Sequence, residues 1–274
     1  MVSTRQTRSV YHLDLDMGKT RHARHALLPG DPFRSEAIAR AISGSKARKL
    51  AWKREYCTWL AEVEGEPVLV TSTGIGGPSA SIAIDELAQL GVGTFIRVGT
   101  TGAIQKYIKV GDVIITSGSV RLDGASTHYA PIEFPAVADH EVVAALVAAA
   151  RAELPERFHV GITISSDTFY PGQERYDSFT GYVPRRFQGT RKEWQNLHCL
   201  NYEMESSTVL TLCTAMGLRG GSVAGVVVNR ESSEKVTAQG LRAGEENAVK
   251  LAVAGLGRLV AYDDQPPIHR RGRA

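Results

Sequence analysis

At 274 residues, with 43% hydrophobic and 22% charged residues, the chain has the material for one packed α/β domain, and it is not charged enough to favour disorder. The formal net charge of +3 is slight, and much of the excess gathers at the ends, at Arg5 and Arg8 and in His269-Arg270-Arg271-Gly272-Arg273, which argues against a nucleic-acid-binding body. No apolar run reaches the roughly 20 residues of a membrane span. Cys57, Cys199 and Cys213 lack metal or redox spacing, and MVSTRQTRSVYHLDLD lacks an apolar secretory core, so a cytoplasmic protein is expected.

In chain order, residues 1–20 read as loosely ordered. Residues 23–28 form a short apolar strand ending in Pro29-Gly30-Asp31-Pro32, and a helix follows over 33–42. Strands are expected over 56–63 and 68–71 around Gly65, then an amphipathic helix over 79–90. Residues 94–98 and 112–117 read as strands, 137–153 as a helix stopped before Pro155, and 159–165 as a strand. Residues 166–200 are irregular, long enough to suggest a functional loop. A helix over 205–216, a buried strand over 222–228 and a last helix over 243–261 complete the pattern. Strands alternating with helices imply a mixed sheet with helices on both faces.

Two glycine-rich segments dominate the run from Thr73 to Gln105: Gly74-Ile75-Gly76-Gly77-Pro78-Ser79 and Gly99-Thr100-Thr101-Gly102. Both read as turns, and exposed amides at such turns form concave anion sites. Arg97 ends the strand before the second turn, and Arg34 lies four residues past Gly30 in the first turn of a helix. Both sit at strand ends, where open α/β sheets bind ligands, and guanidinium groups grip phosphate in a bidentate fork. Arg54 and Arg230 complete the arginine set. Glu203 and Glu205 flank Met204; Glu205, at a helix start, serves either the helix dipole or sugar hydroxyls. The loop from Ser165 to Tyr176 places Phe169, Gln173 and Arg175 where they can cover and hydrogen-bond a planar heterocycle. An ATPase loop, a complete dinucleotide fingerprint, an HExxH helix and a G-x-S-x-G elbow are all missing from the sequence.

The motifs LLPGDPFR, STGIGGPSASIA, IRVGTTGAIQ, SVRLDGASTHYAPIEFPAVAD, SSDTFYPGQERYD, NYEMES and AGVVVNR occur in that order. In them the chain resembles the uridine-cleaving branch of the hexameric nucleoside phosphorylase family, over residues 10–260. The resemblance implies a nucleoside phosphorylase fold: a single α/β domain over 10–262 with a mixed, twisted, partly barrel-like β-sheet flanked by helices. A disordered N-terminal extension (1–9) and a basic disordered tail (263–274) would lie outside it. It also implies reversible phosphorolysis of uridine to uracil and ribose 1-phosphate, by direct attack of bound phosphate at C1′, in pyrimidine salvage.

By the same resemblance, Gly30, Arg34, Arg97 and Thr100 bind phosphate, with Arg54 lent by a neighbouring subunit. His12 reaches the ribose across that interface, beside Met204 and Glu205. Phe169, Gln173, Arg175 and Val228 form the base pocket, and Arg230 acts near the uracil 4-oxygen. Glu55, Ile75 and Ser79 match positions that hold a monovalent cation, such as a structural K+, between two subunits. No organic cofactor is implied; phosphate is the co-substrate, and the assembly is a homo-hexamer built as a trimer of dimers. Purine-specific relatives carry an aspartate where this chain has Asn229-Arg230, which favours a pyrimidine. The alternatives are a purine nucleoside phosphorylase or a nucleosidase of the same fold, and a catalytically silent nucleoside-binding protein.

Overall fold

The computed structural model describes residues 8–263. The chain opens with a hairpin, β1 (Ser9–Val10) and β2 (Leu15–Asp16), followed by the short α1 (Met17–Thr20). Over residues 8–20 this corrects the expectation of loose order. Leu13 and Leu15 are fully buried against α3 (Gly77–Gln89), and Glu86 of that helix accepts hydrogen bonds from the His12 and Leu13 amides, both at 2.9 Å. Ser9, expected in the extension, belongs to β1, and residues 1–7 and 264–274 lie outside the described residues.

The next strand, β3 (His25–Pro29), is buried throughout. Its side chains alternate, Leu27 entering one core and Ala26 and Leu28 the other, as expected of a strand covered on both faces. Asp31 caps α2 (Pro32–Ser43) by accepting from the Phe33 amide at 2.9 Å, with Pro32 at the first helical position. A meander of β4 (Arg48–Lys53), β5 (Tyr56–Val63) and β6 (Glu66–Thr71) then extends the sheet, and α3 leads into β7 (Thr94–Ala103).

The remaining elements are β8 (Val113–Leu122), β9 (Ala136–Val137), α4 (His140–Glu153), β10 (Phe158–Ser166), α5 (Thr190–Asn196), β11 (Asn201–Glu203), α6 (Ser206–Ala215), β12 (Arg219–Asn229) and α7 (Ala238–Asp263). Asp263, expected in the tail, closes α7. The sheet runs β11-β10-β8-β12-β7-β3-β6-β5-β4. Because β11 also pairs with β7, the five strands β7, β12, β8, β10 and β11 close into a small barrel, and the others form an open wing. One core lies between the sheet and α2, α4 and α7; the other packs α3, α6 and the N-terminal hairpin on the opposite face.

Two glycines of β12 and α7 show how close the layers come. A Cβ on Gly225 would stand 1.9 Å from the Gly244 carbonyl oxygen, so strand and helix touch backbone to backbone. Residues 99–102 correct a second expectation. They are not a turn: β7 runs unbroken through them, with Gly99 opposite Ala224 and Gly102 opposite Tyr202. Neither glycine has positive φ. Gly102 lacks a side chain because Arg230 Cδ and Val228 Cγ1 lie 3.2 and 3.3 Å from where a Cβ would stand. The other segment is a true turn, with Gly74 and Gly76 at φ 68° and 98°.

Candidate active site

Two clusters of buried arginines lie along β7 and β11, joined through the pairs Gly102–Tyr202 and Ala103–Asn201. The first gathers at the carboxyl end of β3. Arg97 lies opposite Leu28 in the sheet and donates to the Leu28 carbonyl at 3.2 Å and to Glu205 Oε2 at 2.5 Å. The other oxygen of Glu205 accepts from the Gly76 amide, at the N-cap of α3, at 2.6 Å. Gly30 lies against this pair: a Cβ there would approach the Arg97 guanidinium nitrogens to 3.3 and 3.4 Å. Arg34, in the first turn of α2, sets its Nε 3.5 Å from Glu245 Oε1. Burial, with Arg97 as a like-charged neighbour, lowers the Arg34 pKa.

The Nε atoms of Arg34 and Arg97 are both buried and have no hydrogen-bond partner among the described residues. Arg97, buried with an unused donor, and the partly buried Arg34, whose Nε has only Glu245 at 3.5 Å, place two cations near the positive end of α3, an arrangement suited to a small multivalent anion. Thr100 is half-buried on β7, three residues past Arg97.

Glu205 is 3% exposed and precedes α6, as expected from the sequence. Glu203 does something else. Its carboxylate accepts from the Glu205 amide at 2.8 Å and from the Ser206 amide and hydroxyl, capping α6. Burial and the neighbouring Glu205 push its pKa up. The two glutamates therefore divide the two readings, one closing a helix and the other pointing at Arg97. Met204 is half-buried between them.

The second cluster lies in and around the loop after β10. Gln173 and Arg175 are buried, and the Arg175 guanidinium stacks 4.3 Å over the Phe169 ring, which is 47% exposed. Arg230, at the end of β12, is buried with its guanidinium 5.2 Å over Tyr202. Val228 packs against Gly102 below it. Glu234, to which the sequence drew no attention, bridges Arg175 and Arg230.

His12 and Arg54 are not brought to either cluster by their own chain. His12 Nδ1 lies 2.7 Å from Glu86 Oε1, ten residues along α3 from Gly76, or about 15 Å at helical rise. Arg54 sits in the β4–β5 turn at φ 55°, its carbonyl accepting from the Trp52 indole at 3.0 Å. Around them Tyr11, Phe33, Trp52 and Ile75 are exposed, with Phe33 and Trp52 edge to face at 5.6 Å. Ser79 Oγ lies 3.4 Å from Glu55 Oε1 and donates to the Thr73 carbonyl. Among the described residues no group of three or more His, Cys, Asp or Glu forms a metal site, and no helix is long and apolar enough to cross a membrane.

Residues 24–260 match the family model described as the Phosphorylase superfamily. The chain belongs to this superfamily. Among similar superfamily proteins, the uridine phosphorylase of Escherichia coli (strain K12) is 56% identical over 251 residues, covering 92% of this chain and 98% of that protein. The uridine phosphorylase of Thermococcus kodakarensis is 44% identical, covering 93% and 88%. A guanosine phosphorylase of Halorubrum lacusprofundi is 37% identical over 72% of this chain and 75% of its own. The superfamily match takes in both arginine clusters and Glu205; His12 precedes it.

Proposed function

We propose that this protein is a pentosyltransferase that cleaves uridine with inorganic phosphate, giving uracil and ribose 1-phosphate reversibly. The observation that carries the phosphate half is the buried, under-bonded Arg97 against Gly30, with partly buried Arg34 as its like-charged neighbour. The uridine half is supported by near-full-length similarity to uridine phosphorylases and by the cluster of Arg175 on Phe169 with Gln173 and Arg230.

In this reading phosphate is held by Arg34, Arg97, Thr100 and the Gly30 backbone, with Arg54 from a second subunit. Glu205, already fixed by the Gly76 amide and Arg97, has lone pairs left to accept ribose hydroxyls, with Met204 under the sugar. A phosphate oxygen forms the new bond to C1′ as the C1′–N1 bond breaks, and the bonding pair leaves with the base. The sugar passes through an oxocarbenium-like state flanked by the phosphate anion. Negative charge grows on the uracil oxygens, where Gln173, Arg175 and Arg230 donate more strongly than they would to neutral uridine. That is transition-state binding, and no covalent enzyme intermediate is required.

The exposed Tyr11, Phe33, Trp52 and Ile75 around His12 and Arg54 support a subunit interface there. We assign the hexamer to this face, with His12 and Arg54 completing a neighbour's site. Glu55, Ile75 and Ser79 would supply oxygens for a monovalent cation at the same contact, and the closeness of Glu55 Oε1 and Ser79 Oγ fits such a hard-ligand set. A cytoplasmic location suits this salvage chemistry.

The test is the absorbance change of uridine, inosine and thymidine with and without phosphate. Phosphate-dependent cleavage of uridine but not inosine is expected. Cleavage of inosine would move the protein to a purine activity, and cleavage without phosphate would leave Arg34 and Arg97 without their ligand.

A further inference from the structure

Glu234 lies in the connection between β12 and α7, in the unremarkable stretch Glu231-Ser232-Ser233-Glu234-Lys235. Its Oε1 accepts from Arg230 Nε at 2.8 Å, and its Oε2 accepts from Arg175 Nη1. Arg191 Nη1 lies 3.8 Å from Oε1 and donates to the Arg230 carbonyl at 2.9 Å. One carboxylate thus spans two guanidinium groups whose residues are only 6% and 4% exposed.

Two buried guanidiniums this close repel each other, and their burial weakens the screening that water gives. Burial and Arg175 both lower the Arg230 pKa, while Glu234 raises it. The donors that Glu234 leaves alone are equally informative. Arg175 Nε and Arg230 Nη1 are buried without a partner among the described residues. The carboxylate occupies one N–H of each arginine and leaves another of each open to a ligand or to water.

We propose that Glu234 is a positioning residue for the leaving base: it holds Arg175 and Arg230 together on its two oxygens so that their remaining N–H groups meet the pyrimidine as its negative charge develops. The inference rests on the uridine-cleaving reading above. Glu234 touches no reacting atom; it sets the geometry of the groups that do.

Charge alone would act with the opposite sign. A carboxylate near the base opposes a developing anion, so removing it would speed cleavage. The two roles are separated by leaving-group dependence. 5-Fluorouracil is a more acidic leaving group than uracil, so 5-fluorouridine leans less on the arginines. The experiment compares kcat/KM for uridine and 5-fluorouridine in the wild type, Glu234→Ala, Glu234→Gln and Glu234→Asp, with phosphate affinity measured separately by calorimetry. The ratio of the two kcat/KM values does not depend on how much of a variant folds.

Uridine cleavage is expected to fall about 100-fold in Glu234→Ala, the scale set by misplaced catalytic groups. 5-Fluorouridine should lose several-fold less, so its ratio over uridine rises; phosphate affinity should be unchanged, and Glu234→Asp should recover part of the loss. An unchanged ratio, or faster uridine cleavage, would overturn the proposal. A wild-type enzyme inert toward uridine would instead overturn the functional reading, and this one with it.

Discussion

Gly30→Ala tests the anion site with the smallest possible change. The added Cβ would stand 3.3 and 3.4 Å from the two terminal nitrogens of Arg97 and 3.2 Å from the Gly74 carbonyl oxygen. Such contacts require a displacement of a few tenths of an ångström. Arg97 cannot swing aside freely, because it is 7% exposed and tied to the Leu28 carbonyl and Glu205. The strain therefore falls on the alignment of its remaining donors toward phosphate. A charge-assisted hydrogen bond contributes about 1.5–3 kcal/mol. Losing half to all of one, about 0.75–3 kcal/mol, corresponds to a rise of roughly 3- to 140-fold in the phosphate KM, at about 1.4 kcal/mol per tenfold. Gly30 lacks positive φ, so the alanine adds no backbone strain, and the variant should fold. The assay is initial-rate phosphorolysis with phosphate varied at saturating uridine, together with the rise in melting temperature that phosphate produces. A wild-type phosphate KM would refute the assignment of Arg97 and Gly30 to the phosphate site.

Other perturbations probe different parts of the molecule. Arg175→Ala should lose about 2.7–4 kcal/mol of transition-state stabilisation, a drop of roughly 10²–10³ in kcat, and wild-type turnover would remove Arg175 from the base pocket. Gly225→Ala drives a methyl group into the Gly244 carbonyl, where neither backbone can rotate away. It should cost about 3 kcal/mol, seen as a fall of about 6–12 °C in melting temperature, and an unchanged melt would contradict the packing of β12 on α7. Arg54→Ala and Arg34→Ala protomers, each weakly active alone, should recover activity when dissociated and mixed, because one mixed interface restores an intact site; no recovery would place each site within a single chain.

His25 supplies a pH dependence. Burial outweighs the nearby Asp263 and holds its pKa below the usual 6.5, so the folded protein carries a neutral imidazole where the unfolded chain takes up a proton. The stability it contributes is present above that unfolded value and is lost as pH falls through the folded-state one. Melting temperature followed from about pH 7.5 to about 5 should fall less steeply in His25→Gln than in the wild type; parallel curves would show that another group carries the effect.

Much of the site was legible because its residues belong to local patterns. Gly30-Asp31-Pro32 with Arg34 reads as a strand end followed by a helix, and α2 does begin there, at Pro32. Gly74 and Gly76 read as a turn because left-handed backbone calls for glycine, and both have it. Glu205 reads as a residue at a helix start. Gly99 and Gly102 misled for the same reason that the others informed: glycine serves a turn and a close contact equally well. Only the barrel closure between β7 and β11, with Arg230 and Val228 pressed on Gly102, decides between them. The N-terminal hairpin was missed because its partners, Glu86 and the apolar face of α3, lie more than seventy residues away.

By itself, the sequence determined the alternation of strands and helices, the arginine-rich and glycine-rich ends of β3, β6 and β12, and the aromatic, amide and arginine set after β10. Those follow from periodicity, caps and turns, which act over a few residues. The tertiary structure alone decided which carboxylate meets which arginine. Glu203 turns into α6 while Glu205 meets Arg97, and Glu234 reaches back 59 residues to Arg175. Pairing of buried charges is set by where the backbone delivers them, and nothing in the local chain encodes that meeting.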